Sequence, residues 1–94
     1  MNREEFRSSV SEASPPDTLS PLLQAMWHQA KGNWEMAHKI AQDQKSADGN
    51  WVHAFLHRDE GDLPNAAYWY RRAEKPVASG SIEDEWQQLV DAFL

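Results

Sequence analysis

The clearest hydrophobic pattern lies at the end of the chain. Ile82, Trp86, Leu89, Val90 and Phe93 recur at i, i+4, i+7, i+8 and i+11, the spacing of one helix face. Ser81-Ile82-Glu83-Asp84 reads as a capping box, so a helix is predicted from there to the C-terminus. Earlier segments carry wider apolar arcs. Leu22, Leu23, Ala25, Met26, Trp27 and Ala30 form one, and Trp51, Val52, Ala54, Phe55 and Leu56 form another. Ser20-Pro21 supplies a capping hydroxyl and a proline at the first helical position, and Gly32 stops that helix after Lys31. A second helix is predicted from Asn33, as cap, to Lys45, followed by a loop over Ser46 to Gly49. A third runs from Asn50 to Glu60 and stops at Gly61. A fourth starts with Asp62 as cap and reaches Glu74, ahead of a loop over Pro76 to Gly80. Phe6 and Val10, with Glu4 and Glu5, suit a short helix within Met1 to Ala13, broken by Ser14-Pro15-Pro16-Asp17. No alternating run suggests a strand.

Part of this pattern is written twice. Ala25-Met26-Trp27-His28 recurs as Ala54-Phe55-Leu56-His57, 29 residues on. Gly32-Asn33-Trp34 recurs as Gly61-Asp62-Leu63, and Ala37 as Ala66. The expected fold is all-α: two antiparallel helix-turn-helix pairs plus a C-terminal capping helix. Residues 1–18 are expected to be a short helix or a flexible segment, and 19–94 a single domain. The second copy reads Gly61-x4-Ala66-x3-Tyr70-x2-Ala73-x2-Pro76, with Ala54 as the small residue of the first helix. This resembles the tetratricopeptide repeat, over residues 20–76. In the first copy Ala25, Gly32 and Ala37 fit, whereas Ala41 stands where the aromatic belongs. The period is shorter than the family's ~34 residues. The resemblance implies that Trp51, Phe55 and Arg58 line a concave groove. A groove this apolar would be sticky if left open, so the C-terminal helix, with Trp86 and Phe93, is expected to fill it. The chain is also similar to a group of small proteins sharing a His-Ala-Phe-Leu-His-Arg…Tyr-Trp-Tyr-Arg-Arg-Ala block, a likeness that implies no activity.

Composition narrows the partners. The chain has 94 residues, a net charge of −6, no cysteine and five tryptophans. The acidic balance argues against nucleic acid, and the one basic cluster, Arg71, Arg72 and Lys75, is small. Without cysteine there are no disulfides or thiolate metal sites, which suits a cytoplasmic chain. No apolar run approaches a membrane span, and residues 1–16 lack the apolar centre of a signal peptide. The surplus of aromatics suits a small core or an interface.

Candidate chemistry gathers in the second copy. His53, His57 and Glu60 share a face opposite the apolar arc, with the spacing of metal ligands. A metalloprotease motif is missing, because Ala54 follows His53. The expectation is therefore a structural or solvated face, with no metal and no cofactor. His38, beside Glu35, Lys39 and Gln42, is likewise expected in solvent. Asn65, Tyr68 and Arg72 share the exposed face of the fourth helix, and with Arg58 they could bind a carboxylate or phosphate. Trp69 and Tyr70 face inward, which turns Tyr68 away. No nucleophile elbow and no glycine-rich phosphate loop occurs, so no catalytic residue is assigned. Two readings follow. The first is an interaction module for a partner protein or peptide, a second copy of the chain included. The second is a small-molecule or anion site, binding or enzymatic, in a cleft of His53, His57, Arg58, Glu60, Asn65, Tyr68 and Arg72.

Overall fold

Each helix begins where a side chain satisfies a free backbone N–H. Asn2, Ser20, Asn33, Ser46, Asp62 and Ser81 each accept from the N–H three residues on. A computed structural model describes residues 1–94 and contains six helices and no strand. They are α1 (Arg3–Ser9), α2 (Pro21–Ala30), α3 (Trp34–Asp43), α4 (Ala47–Asp59), α5 (Leu63–Arg72) and α6 (Ile82–Phe93). The chain is therefore all-α, and no helix is long and apolar enough to cross a membrane.

The predicted loop over Ser46 to Gly49 is corrected. Ser46 caps α4, and Ala47, Asp48 and Gly49 form its first turn. Glycine and aspartate are weak helix formers, which hid the turn in the sequence. Gly49 is required there for space: a Cβ would lie 2.1 Å from the Gln44 carbonyl oxygen.

The repeat is visible as two matching turns. The Asn33 N–H donates to the His28 carbonyl at 2.8 Å and Gly32 N–H to Gln29 at 3.0 Å. Asp62 donates to His57 at 2.9 Å and Gly61 to Arg58 at 3.0 Å. Both are Schellman closures, and both need a left-handed residue after the helix, here Gly32 (φ 91°) and Gly61 (φ 88°). The next residue, Asn33 or Asp62, at once caps the following helix. One three-residue turn thus ends one helix and starts another.

Helix α4 is the centre of the packing. Val52, Phe55 and Leu56 enter a core with Trp27 and Met26 of α2, Ala37 and Ala41 of α3, and Trp86, Leu89 and Val90 of α6. On its α5 side Ala54 meets Ala66 and Tyr70, the small residues letting the two backbones come close. Helix α6 lies across α2 and α4. Phe93 meets the Trp51 ring edge-on at 5.9 Å, whereas Trp86 turns toward Phe6 of α1, 5.7 Å away.

Residues 1–18 are tied to this body. Phe6 is fully buried in the core. Arg3 pairs with Asp91 at 2.6 Å, Arg7 pairs with Glu83, and the Arg7 guanidinium lies over Trp86. Ser9 Oγ accepts from the Trp27 indole N–H at 3.2 Å, and Lys31 Nζ donates to the Val10 and Glu12 carbonyls.

Candidate functional site

Two helical registers bring three imidazoles together. His53 and His57 lie one turn apart on α4, so both project from one face. His38 reaches the same place from α3, with its Nε2 2.9 Å from His53 Nε2. Flat aromatic contacts hold two of the rings: Trp34 stacks on His38 at 4.8 Å and Trp69 on His53 at 3.9 Å. The His53 and His57 rings lie 4.9 Å apart. Glu60 Oε1 sits 2.7 Å from His57 Nδ1, and the Asn65 side-chain nitrogen lies 3.4 Å from His57 Nε2. An ionised carboxylate only accepts, so His57 Nδ1 carries the hydrogen of this bond.

Of the two alternatives expected for this face, structural or solvated, the solvated one is corrected, as is the solvent position expected for His38. His53 and His57 are each only 6% exposed, and His38 is half-buried. The reason is the central place of α4: the face opposite its apolar arc is itself covered, by His38 and Trp34 of α3 and by Trp69 of α5. In the first repeat the matching stripe has no such cover, with Gln24 and His28 partly exposed and Lys31 exposed.

Burial disfavours the charged imidazole. It pushes His53 down to about 4, with His38, His57 and Lys45 adding to the effect. It also lowers His38, helped by His57 and opposed by Glu60. The consequence is a pH-dependent stability with a definite sign. Above the ordinary value of 6.5, His53 is neutral in both folded and unfolded chains. Below it the unfolded chain binds a proton that the folded chain excludes, so stability falls until the folded value is reached. Urea unfolding is expected to show a loss of about 2 kcal/mol from this residue between about pH 7.5 and about pH 5. His53→Gln should flatten that part of the slope; an unchanged slope would show that the cluster does not exclude the proton.

A second polar cluster surrounds Glu85, which is buried on α6. Tyr70 donates its hydroxyl hydrogen to this carboxylate, with both oxygens within 2.7 Å. Arg58 Nη1 donates to it at 3.0 Å and the Trp51 indole N–H at 3.3 Å. Arg58 also donates to the Gly80 carbonyl. Burial, then the Glu85 carboxylate, raise the Tyr70 hydroxyl above its usual range.

The seven residues singled out from the sequence fall into three places. His53, His57, Glu60 and Asn65 meet around the imidazoles. Arg58 is engaged with Glu85 and Gly80. Tyr68 is exposed, and Arg72 lies over its ring and that of Trp69. Sequence reasoning placed His38 in solvent and Trp69 inward, and it assigned none of His38, Trp34, Trp69 and Glu85 to a site. Nothing in α3 alone marks His38. Glu85 did leave a signal, since it interrupts the apolar stripe three residues after Ile82 and four before Leu89.

The two largest of four surface concavities lie elsewhere. One of about 510 Å³ lies against α1 and is lined mainly by polar and acidic side chains, with no converging chemistry. Another, of about 410 Å³, lies between α5 and the segment after it. Leu63 and Val77, each 61% exposed, line it with Ala66, Ala78, Tyr70 and Arg58. Compared with protein-family models, curated proteins and solved structures, the chain matches none.

Proposed function

We propose that the domain is a small helical interaction module that takes an apolar side chain of a partner protein or peptide into the cleft beside α5. One observation carries this reading: Leu63 and Val77, the most exposed large apolar side chains of the protein, line the same cleft. Exposed apolar side chains gathered at one concavity mark contact sites more than scattered ones do. The N–H groups of Val77, Ala78 and Ser79 make no hydrogen bond within the domain, so an extended peptide could bond to them. The concave groove implied by the tetratricopeptide resemblance does not enter the argument, because α6 lies over Trp51 and Arg58. The repeat-like organisation belongs to the same proposal, supported by the two matching glycine turns and by Ala54 against Ala66.

Selection from a peptide library on the immobilised domain tests it. The selected peptides should converge on one large aliphatic or aromatic anchor. Leu63→Asp and Val77→Asp, both at exposed positions, should weaken them by about tenfold or more while the fold is kept. No convergence, or equal binding by both variants, overturns the reading. Light scattering identifies the partner class: a dimer mass abolished by Leu63→Asp makes the partner a second copy of the chain, and a monomer mass makes it a different chain.

A further inference from the structure

We propose that His38, His53 and His57 form a binding site for one divalent transition-metal ion of the Zn²⁺ class. The inference is independent of the cleft beside α5. Its basis is geometric. One ring nitrogen from each of the three residues lies within 4.8 Å of the others. A Zn–N bond of about 2.0–2.1 Å in tetrahedral geometry needs nitrogens about 3.3 Å apart. The His38–His53 separation of 2.9 Å is close to that value, so a small opening replaces a hydrogen bond with two metal bonds.

The scaffold suits the task. Two ligands come from one helix at i,i+4 and the third from the helix packed on it, so backbone rigidity places all three. Trp34 and Trp69 fix the planes of two rings. Glu60 accepts from His57 Nδ1, the arrangement by which a carboxylate orients a metal-binding imidazole, and an ion at His57 Nε2 would take the place of the long Asn65 contact of 3.4 Å. The low proton affinity of His53 and His38 keeps their lone pairs free near neutral pH. Imidazole ligands select zinc, copper, cobalt or nickel over magnesium or calcium. Three such ligands leave a fourth position for water or an added ligand. A solvated face or a purely apolar filler would need none of this order. A partly competing set, His57, Glu60 and Asp62, is also close enough to hold an ion, but two of its members are exposed.

The test uses the untagged full chain, stripped with a chelator and titrated with ZnCl₂ and, separately, CoCl₂. One equivalent should bind, raise the melting temperature and shift the ring resonances of His38, His53 and His57 together. Cobalt should give the visible absorption of a low-coordinate nitrogen site. His38→Asn, at a half-buried position, should abolish the one-equivalent binding with its helical circular dichroism kept. Glu60→Gln should keep the stoichiometry and weaken affinity by about 10–100-fold. Wild-type resonances that do not respond to Zn²⁺ overturn the proposal without any variant. So does a folded His38→Asn variant that binds as tightly as wild type. Binding lost in Asp62→Asn but kept in His38→Asn also overturns it, because the ion would then sit in the exposed set.

Discussion

Replacing Glu85 with alanine is expected to destabilise the domain by about 3–5 kcal/mol, because it strands a partly buried guanidinium. The Arg58 and Glu85 side chains are 13% and 4% exposed. Water therefore replaces the lost carboxylate at Arg58 only in part, from the side of the cleft that Arg58 lines. Tyr70, buried and hydrogen-bonded only to Glu85 through its hydroxyl, loses its partner in the same step. The indole N–H of Trp51 loses its acceptor as well. One side chain of α6 thus satisfies donors from α4 and α5. A folded domain has only about 5–15 kcal/mol to lose, so the single variant approaches the limit of folding. The ion pair itself is not expected to be the source of stability. Desolvation of two charges offsets most of their attraction. The double variant Arg58→Met with Glu85→Leu should therefore recover the part due to the stranded guanidinium and keep the part due to the unpaired Tyr70 hydroxyl and Trp51 N–H. Urea unfolding of the two single variants and the double one checks both statements. A loss below about 1 kcal/mol for Glu85→Ala would place the pair among exposed ones, contrary to the structure.

Phe6→Ala should cost about 3–5 kcal/mol, the range for deleting a buried aromatic side chain. Phe6 has no exposed surface and packs against Trp86, itself part of the α6 stripe. The ring fills space between α1 and the rest of the core, and a seven-residue helix cannot close the resulting cavity by itself. The surface ion pairs that also hold α1 are different. Arg3 with Asp91 and Arg7 with Glu83 are about half exposed, and such pairs are each worth about 1 kcal/mol or less. Arg3→Ala should accordingly be nearly silent. Thermal and urea unfolding of the two variants separates these contributions. A Phe6→Ala variant as stable as the parent would mean that the domain proper begins after residue 18. The expected loss means that α1 is part of it.

The comparison of Phe6 with His38 shows what a sequence can carry. Phe6 sits at helical spacing from Val10 beside acidic first-turn residues, so both a helix and an inward face could be read locally. His38 sits in α3 among Glu35, Lys39 and Gln42, and local pattern alone puts it in water. Its actual surroundings come from α4, 15 residues later. Glu85 lies between these cases. Its place in an apolar stripe was legible, but Arg58, Tyr70 and Trp51 as its partners were not. Asp48 and Gly49 misled for a different reason: both are weak helix formers, and the Ser46 cap with the close passage of Gln44 outweighs that preference.

By itself the sequence determined the all-helical class, the caps at Ser20, Asn33, Asp62 and Ser81, the two glycine turns and the apolar faces. These depend on residues within a few positions of one another, through helical period, capping side chains and the left-handed freedom of glycine. Only the tertiary structure decided that α4 is covered on the face opposite its apolar arc, that Trp86 turns to Phe6 rather than to Trp51, and that His38 joins His53 and His57. Those outcomes depend on which helix packs against which. Periodicity says which face of a helix is apolar, and it does not say how many neighbours that helix will have.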